Sequence, residues 1–288
     1  MLIDTHCHMN IMLRGYKTKS TYTDLTPTEK AEAFKIISHA SDNDIELIIN
    51  VGTDLIESLT CIELAKLYNN CYAIVGIHPN DATHTWKSEF EKIKSYVKNH
   101  TDHKIIGIGE CGIDRHYEDY NLIRQQDAFK AQIELALEYN LALSIHSRDA
   151  AEETYKIIDE YAKEDNFRGI MHCYSYGENY AAEAVKFKLA LGIGGTLTYP
   201  KNENLRTIVK NTDLSNIVLE TDAPFLPPQK MRGQKNFPAN IKIIAQYIAD
   251  LKETNYESIA KQTTKNVKRI FQPSNLIGPF NCEAQHSR

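Results

Sequence analysis

Histidines and carboxylates in this sequence recur at the ends of predicted β-strands, where they could bind metal ions. His6 and His8 close the first β-rich stretch, in the motif D-T-H-C-H. Because positions i and i+2 of a strand face the same side, both imidazoles can point into one site while Cys7 points away. Five more such residues follow later stretches, in chain order His78, Glu110, His146, His172 and Asp222.

The elements that must position these residues alternate between short β-rich runs and longer helical patterns. Several runs, such as L-I-I-N and A-I-V-G-I, are continuously apolar, which is typical of parallel strands covered on both faces. The predicted strands are Leu2–His6, Glu46–Val51, Tyr72–Ile77, Ile105–Gly109, Leu141–His146, Gly169–His172, Leu189–Ile193 and Ile217–Glu220. The predicted helices are Pro27–Asn43, Leu55–Asn69, Trp86–Asn99, Leu122–Tyr139, Ala150–Lys163, Asn179–Phe187, Asn204–Asn211, Ile241–Leu251 and Tyr256–Phe271.

Eight β–α units in a chain of 288 residues favour a (β/α)8 TIM barrel in the α/β class. A doubly wound nucleotide-binding sheet is less favoured, since no G-x-G-x-x-G follows the first strand. We predict one barrel domain over residues 1–271 and a surface tail over 272–288. The long polar segment Met9–Thr26 falls outside the regular pattern.

In such a barrel the carboxyl ends of all strands open onto one face, where the active sites of this fold lie. The first and last strands become neighbours on closure, so we expect Asp222 to stand beside His6 and His8. Imidazole and carboxylate groups suit zinc and manganese, and a wetter site suits magnesium. We predict two divalent ions, with Glu110 as the bridge, one ion held by His6, His8 and Asp222, and the other by His146 and His172.

Two ions about 3.5–4 Å apart would lower the pKa of a bound water and give a hydroxide nucleophile at neutral pH. Asp222 could accept the proton of that water, so Asp222 and Glu110 are the predicted catalytic residues. Arginine can hold a phosphate through two hydrogen bonds, and Arg148 and Arg232 are the predicted clamps. His78 and Tyr174 are the other predicted substrate contacts, the tyrosine as a ring on which a nucleobase could stack.

The composition limits the classes of function that remain. With 33 Lys and Arg against 38 Asp and Glu, the formal net charge of −5 argues against a globally basic nucleic-acid-binding surface. Two divalent ions would, however, add positive charge locally at the mouth of the barrel. The sequence contains no apolar run of about 18 residues, so no membrane span is predicted. The six cysteines form no C-x-x-C pair, which is typical of a cytoplasmic protein. We also expect a monomer.

These motifs together resemble the TatD family of metal-dependent deoxyribonucleases, among the amidohydrolase-like barrels. The matching blocks are Asp4–His8, Gly76–Pro79, Gly109–Asp114, His146–Ala150, His172–Ser175, Glu220–Pro228, Arg232–Pro238 and Thr263–Phe271. The resemblance implies metal binding by the six predicted ligands. It also implies DNA cleavage, often exonucleolytic and favouring single strands, in a cytosolic or, in eukaryotes, nuclear protein.

Two other functions stay open beside a deoxyribonuclease with some RNA cleavage. The same metal centre could hydrolyse a small ester, lactone or amide, and the ligand residues cannot separate these substrates from a phosphodiester. The basic segment Phe225–Asn240 favours the phosphodiester. A barrel that keeps the fold and binds without catalysis would be expected to lack a ligand, and none is missing here.

Overall fold

Eight parallel strands follow one another around a single sheet in the computed structural model, which describes residues 1–16 and 21–272. Each strand pairs with the next in chain order, from β1 (Leu2–Cys7) to β8 (Ile217–Leu219). The ring closes where the Asp222 amide donates to His6 O at 2.9 Å and the His8 amide donates to Ala223 O at 2.7 Å. The predicted (β/α)8 barrel is therefore confirmed.

All eight predicted strands are present, with small differences at their ends. Between β1 and β8 lie β2 (Ile45–Val51), β3 (Cys71–Val75), β4 (Ile105–Asp114), β5 (Ala142–Arg148), β6 (Gly169–Met171) and β7 (Leu189–Ile193). The largest difference is in β4, which was predicted to end at Gly109. It continues because residues 111–114 pair with residues 145–148 of β5 after a shift in register. Glu110 thus lies inside a strand and not after it.

Helices cover the outside of the sheet. They are α1 (Met9–Arg14), α2 (Pro27–Ser41), α3 (Leu55–Leu67), α4 (Trp86–Val97), α5 (Leu122–Glu138), α6 (Ala151–Tyr161), α7 (Glu178–Lys186), α8 (Glu203–Asn211), α9 (Ile241–Leu251) and α10 (Tyr256–Phe271). The short helix α1 was not predicted. It forms because Met9 packs in the core and Ile11 is buried, whereas the sequence predicted a polar segment here. The predicted tail lies outside the described residues except for Gln272.

The start of α2 follows from its sequence. Thr26 Oγ1 accepts the Glu29 amide at 3.2 Å, and the Glu29 carboxylate accepts the Thr26 amide at 2.7 Å. Pro27 occupies the first helical position, where its missing N–H costs nothing. Such a reciprocal cap stabilises a helix start by about 1 kcal/mol.

Two apolar cores hold the barrel. The larger lies between the sheet and the surrounding helices, and the smaller fills the inside of the ring. Helix α10 contributes Val267, Ile270 and Phe271 to the inner core. The amino-terminal end of the barrel is therefore plugged by apolar side chains, and the opposite end is left for polar groups.

A register shift in β1 decides which way its histidines point. Leu2 and Cys7 both belong to the outer core, although regular alternation would place positions five apart on opposite faces. The pairing of β1 with β2 is irregular between Asp4 and Cys7. This irregularity reverses the alternation and directs His6 and His8 into the barrel mouth.

In the two described ranges, no helix is both long and apolar enough to cross a membrane.

Candidate metal centre

His6 in β1 and His8 directly after it turn ring nitrogens toward one point. His8 Nδ1 lies 2.9 Å from Val51 O, and because a carbonyl only accepts, this nitrogen carries the proton. In neutral His8 the Nε2 lone pair is then free. His6 Nδ1 lies 3.1 Å from Ser144 Oγ, and its Nε2 is 3.1 Å from His8 Nε2. Two buried imidazoles thus turn their Nε2 atoms toward each other.

Carboxylates complete this arrangement. Asp222 Oδ1 lies 3.3 Å from His8 Nε2 and 4.0 Å from His6 Nε2. Glu110 Oε2 lies 3.4 Å from His6 Nε2. Ligands bound tetrahedrally to zinc at 2.0–2.1 Å are about 3.3 Å apart, so these separations are those of a coordination shell. The donor types and their spacing fit a divalent cation.

His172 stands on the other side of His6. The two rings stack with centroids 3.4 Å apart, and His172 Nε2 lies 3.7 Å from Asp222 Oδ1. Behind it, Nδ1 is 3.1 Å from Glu220 Oε1, an ion-pair distance without the alignment of a hydrogen bond. Glu220 Oε1 is itself fixed by the Cys173 amide at 2.7 Å. The fully buried Glu220 therefore orients His172 from the side away from the centre.

His146 is held between two carboxylates. Its Nδ1 lies 2.9 Å from Glu110 Oε1, and its Nε2 lies 3.0 Å from Asp114 Oδ2. Glu110 therefore turns Oε2 toward the β1 histidines and Oε1 toward His146 and, at 3.9 Å, His172. This position between the two sets of imidazoles is the one required of a bridging carboxylate.

The charges of the site follow from these contacts. Burial by itself would raise the pKa of Glu110, but the imidazoles of His78, His172 and His6 hold it well below its usual range. Burial would also raise the pKa of Asp222, but the imidazoles of His8 and His172 outweigh this effect and lower it. Both carboxylates are therefore ionised at neutral pH and offer negative charge to a cation.

His78 has a defined tautomer. Its Nδ1 accepts the Asn80 amide at 3.1 Å, so in the neutral ring the proton is on Nε2. That nitrogen lies 3.7 Å from Glu110 Oε1. Burial, followed by the neighbouring His146, lowers the pKa of His78 to about 3. His78 is thus a neutral N–H donor beside the carboxylates.

A cavity of about 850 Å³ opens above this cluster. Its floor includes the metal-centre residues His8, Glu110, His146, His172 and Asp222. The exposed rings of Tyr16, Tyr117 and Phe225 stand at its wall. The volume lies in the upper part of the range of about 300–1,000 Å³ for ligand sites.

The structure separates the predicted substrate contacts. Arg148 lines the cavity, with its guanidinium carbon 6.0 Å from the Tyr117 ring centre. Tyr174 does not fit its predicted role, because its ring is buried and its hydroxyl donates to Gly177 O at 2.6 Å. Arg232 is exposed over the Tyr199 ring at 4.9 Å and is not among the described residues that line the cavity. A contact by Arg232 would need a substrate that extends beyond this cavity.

Three residues of the site were given no role from the sequence. Asp114 and Glu220 back His146 and His172, and Arg124 lines the cavity. The first two carried a signal, since Asp114 lies four positions after Glu110 and Glu220 two before Asp222. Even spacing along β4 places Glu110 and Asp114 on one face, whereas Glu220 and Asp222 follow β8 and only their closeness in the sequence was a signal. Arg124 carried none, because α5 approaches the cavity only in the tertiary structure.

Comparisons with known proteins identify the family. The family model described as TatD related DNase matches residues 3–272. YabD of Bacillus subtilis (strain 168), named an uncharacterised metal-dependent hydrolase, is 35% identical over 272 residues, which cover 94% of this chain and 99% of YabD. The crystal structure of YjjV, a TatD homologue from Escherichia coli K12, superposes with a TM-score of 0.83 at 25% identity, covering 94% of this chain and 98% of that one.

A more distant structural neighbour carries the same fold. A lactonase variant from Deinococcus radiodurans superposes with a TM-score of 0.59 at 12% identity, covering 96% of this chain and 95% of that one. At this identity the likeness extends to the barrel alone. The resemblance expected from the sequence motifs is thus confirmed for the TatD family and for the fold.

Proposed function

We propose that this protein, which belongs to the TatD family of metal-dependent hydrolases, is a deoxyribonuclease that cleaves single-stranded DNA from an end. The observation that carries the proposal is the presence of a metal-ligand cluster and free cationic side chains in one cavity. Arg148 and Arg124 line the same space as Glu110 and Asp222. A phosphodiester matches both features, whereas a neutral ester, lactone or amide has no use for the arginines.

The ligand geometry supports two divalent ions on either side of Glu110. The His6, His8 and Asp222 ligand atoms lie within 4.8 Å of one another, as do those of His6, Glu110 and His172. The two groups share His6, so with His6 on the first ion the second would rely on Glu110 and His172. His146 Nδ1 adds a further donor at Glu110 Oε1. A zinc, manganese or magnesium ion held there supplies Lewis-acid chemistry and lowers the pKa of water.

Asp222 is the proposed general base. Its Oδ1 faces the three imidazoles of His6, His8 and His172, which leaves Oδ2 to accept the proton of the attacking water. Its pKa is lowered by these imidazoles against the effect of burial, so the carboxylate is ionised at neutral pH and has a lone pair for the proton. General-base catalysis of this kind contributes about 10²–10⁴ in rate.

His78 and Arg148 act on the phosphate. His78 donates from Nε2 to a phosphoryl oxygen, because its Nδ1 is occupied by the Asn80 amide. Arg148 holds a second oxygen through its planar fork of donors. Donors fixed before the reaction stabilise the charge that develops in the transition state.

We further propose a monomer that acts in the cytosol, with DNA as the main substrate and RNA as a poorer one. The cavity is sunk in the barrel mouth, which admits a single chain more readily than a rigid duplex. The five cysteines in the described part of the chain are free thiols, which fits a reducing compartment.

The test is cleavage of end-labelled single-stranded DNA by protein loaded with zinc, manganese or magnesium. We expect mononucleotides to be released progressively, and kcat to fall about 10²–10⁴-fold in Asp222→Asn. Asp159→Asn, which removes an exposed carboxylate of α6 that is not among the described residues lining the cavity, is the matched control and should keep its activity. Absence of DNA cleavage under all three ions, together with hydrolysis of a lactone or aryl ester, would replace the proposed substrate class.

A further inference from the structure

The cavity extends well beyond the metal centre in one direction. Away from the ligands, most of its lining comes from the loops after β3 and β4 and from the start of α5. We call the lining residues within 79–84 and 117–125 the outer arm. The lining is therefore asymmetric, because β3 and β4 are neighbours and the loops after them stand on one side of the barrel mouth.

Arg124 is the cation of the outer arm. In the part of the chain that the structure describes, its guanidinium makes one hydrogen bond, a long one of 3.5 Å to Ala82 O. No carboxylate of the described residues pairs with it. Since arginine has five donors, most of them remain available to a ligand in the cavity.

The acidic groups that line the cavity near the arm do not cancel this charge. Asp114 already accepts hydrogen bonds from His146, His116 and Asn80. Asp119 is exposed to solvent, so water and salt screen its repulsion of an anion. Arg124 is half-buried, and its field on a bound anion is screened less.

The scissile phosphate lies at the metal centre in the proposed reaction, with Arg148 beside it. Among the described residues Arg124 hydrogen-bonds to Ala82 O and to no residue of the metal centre, so the scissile phosphate is not its natural partner. A second anionic group, covalently linked to the first and lying along the arm, is the ligand that both cations can hold at once. Tyr117, 54% exposed in the cavity wall beside Arg148, offers a flat surface on which a nucleoside can stack.

We propose that the outer arm is a binding subsite for the phosphodiester next to the scissile one, with Arg124 as its anchor. This inference rests on the proposed nuclease function and narrows its substrate class. The preferred substrate is a strand with at least two consecutive phosphodiesters, and a dinucleoside monophosphate is poorer.

The first test compares thymidine trinucleotides with metal-loaded enzyme. One substrate has two natural linkages, and two others carry a neutral methylphosphonate at either linkage. We expect kcat/KM to fall about tenfold when the linkage that occupies the outer arm is neutral, the size expected for one hydrogen bond to a charged group. In Arg124→Gln the charged and neutral substrates should be cleaved at the same rate.

Arg269→Gln is the matched control. Arg269 is also hydrogen-bonded to a backbone carbonyl, Ser215 O at 2.7 Å, but it is exposed and lies at the amino-terminal end of β8. It should keep the wild-type discrimination. The subsite is overturned if wild type and Arg124→Gln prefer the charged over the neutral linkage by the same factor. It is also overturned if Arg124→Gln lowers kcat/KM equally for every substrate.

The second test measures binding without turnover. A fluorescent phosphorothioate oligothymidylate resists hydrolysis and keeps every charge, and its affinity is measured by anisotropy against salt. Loss of one phosphate contact should lower the slope of log K against log salt by about 0.7 in Arg124→Gln and not in Arg269→Gln. Binding with this difference but no cleavage of natural DNA upholds the subsite and refutes the nuclease. Cleavage without this difference upholds the nuclease and refutes the subsite, and absence of binding refutes both.

Discussion

Replacement of Asp114 by Asn tests whether the carboxylate behind His146 controls metal binding. His146 can give its Nδ1 lone pair to an ion only if its proton is on Nε2, and Asp114 Oδ2 accepts that proton at 3.0 Å. The same oxygen accepts from Asn80 Nδ2 at 3.1 Å, and Oδ1 accepts the His116 amide at 2.8 Å. An amide has one oxygen for these two positions, so Asn must turn its NH₂ toward at least one donor.

The size of the effect follows from this conflict. A hydrogen bond to a charged acceptor contributes about 1.5–3 kcal/mol and a neutral one about 0.5–1.5 kcal/mol. Partners behind metal-binding histidines typically change metal affinity by about 10–100-fold, or about 1.4–2.8 kcal/mol. We therefore expect Asp114→Asn to weaken the ion held by His146 within this range and to leave the ion at His6 and His8 nearly unchanged.

The assay is calorimetric titration of metal-free protein with zinc or manganese, with a chelator in competition for the tighter step. Activity lost at limiting metal should return when metal is in excess, because Asp114 acts through His146 and not on the substrate. Asp119→Asn, in the same loop and without contact to a ligand, is the control. Unchanged dissociation constants for every bound ion in Asp114→Asn would refute the reasoning.

Three further predictions concern stability and metal. Gly112 has φ +140°, and a Cβ there would collide with His146 O. In Gly112→Ala the free energy of unfolding, measured by urea titration, should therefore fall by more than about 2 kcal/mol, and the affinity for metal should fall with it. Removal of ions by a chelator should abolish activity, and re-addition at 100 times Kd should stabilise the fold by about 2.7 kcal/mol for each ion bound, seen as a rise in Tm of several degrees. In metal-free protein, burial alone would raise the pKa of Asp114, but hydrogen bonds from His146 and His116 lower it to about 2. Ionised Asp114 therefore contributes about 2 kcal/mol to the free energy of unfolding above pH 4, and this contribution is lost as the pH falls toward 2. The difference in stability between wild type and Asp114→Asn should close over that interval.

The sequence by itself determined the architecture and the chemistry of the centre. Apolar runs alternating with helical patterns specify parallel strands covered by helices, and eight such units leave the barrel as the natural closure. The ligand types and their place after successive strands specify a polar mouth, because all carboxyl ends meet there. Glu110 and Asp222 could be assigned in this way before any coordinates.

The tertiary structure alone decided how the residues meet. Strand periodicity cannot reveal the irregularities that turn His6 and His8 inward and extend β4 past Glu110, since each depends on pairing with a neighbouring strand. The burial of Tyr174 and the approach of Arg124 to the cavity likewise arise from packing between segments far apart in the chain. Local sequence sets which face a side chain can take, and only long-range contacts fix what it touches there.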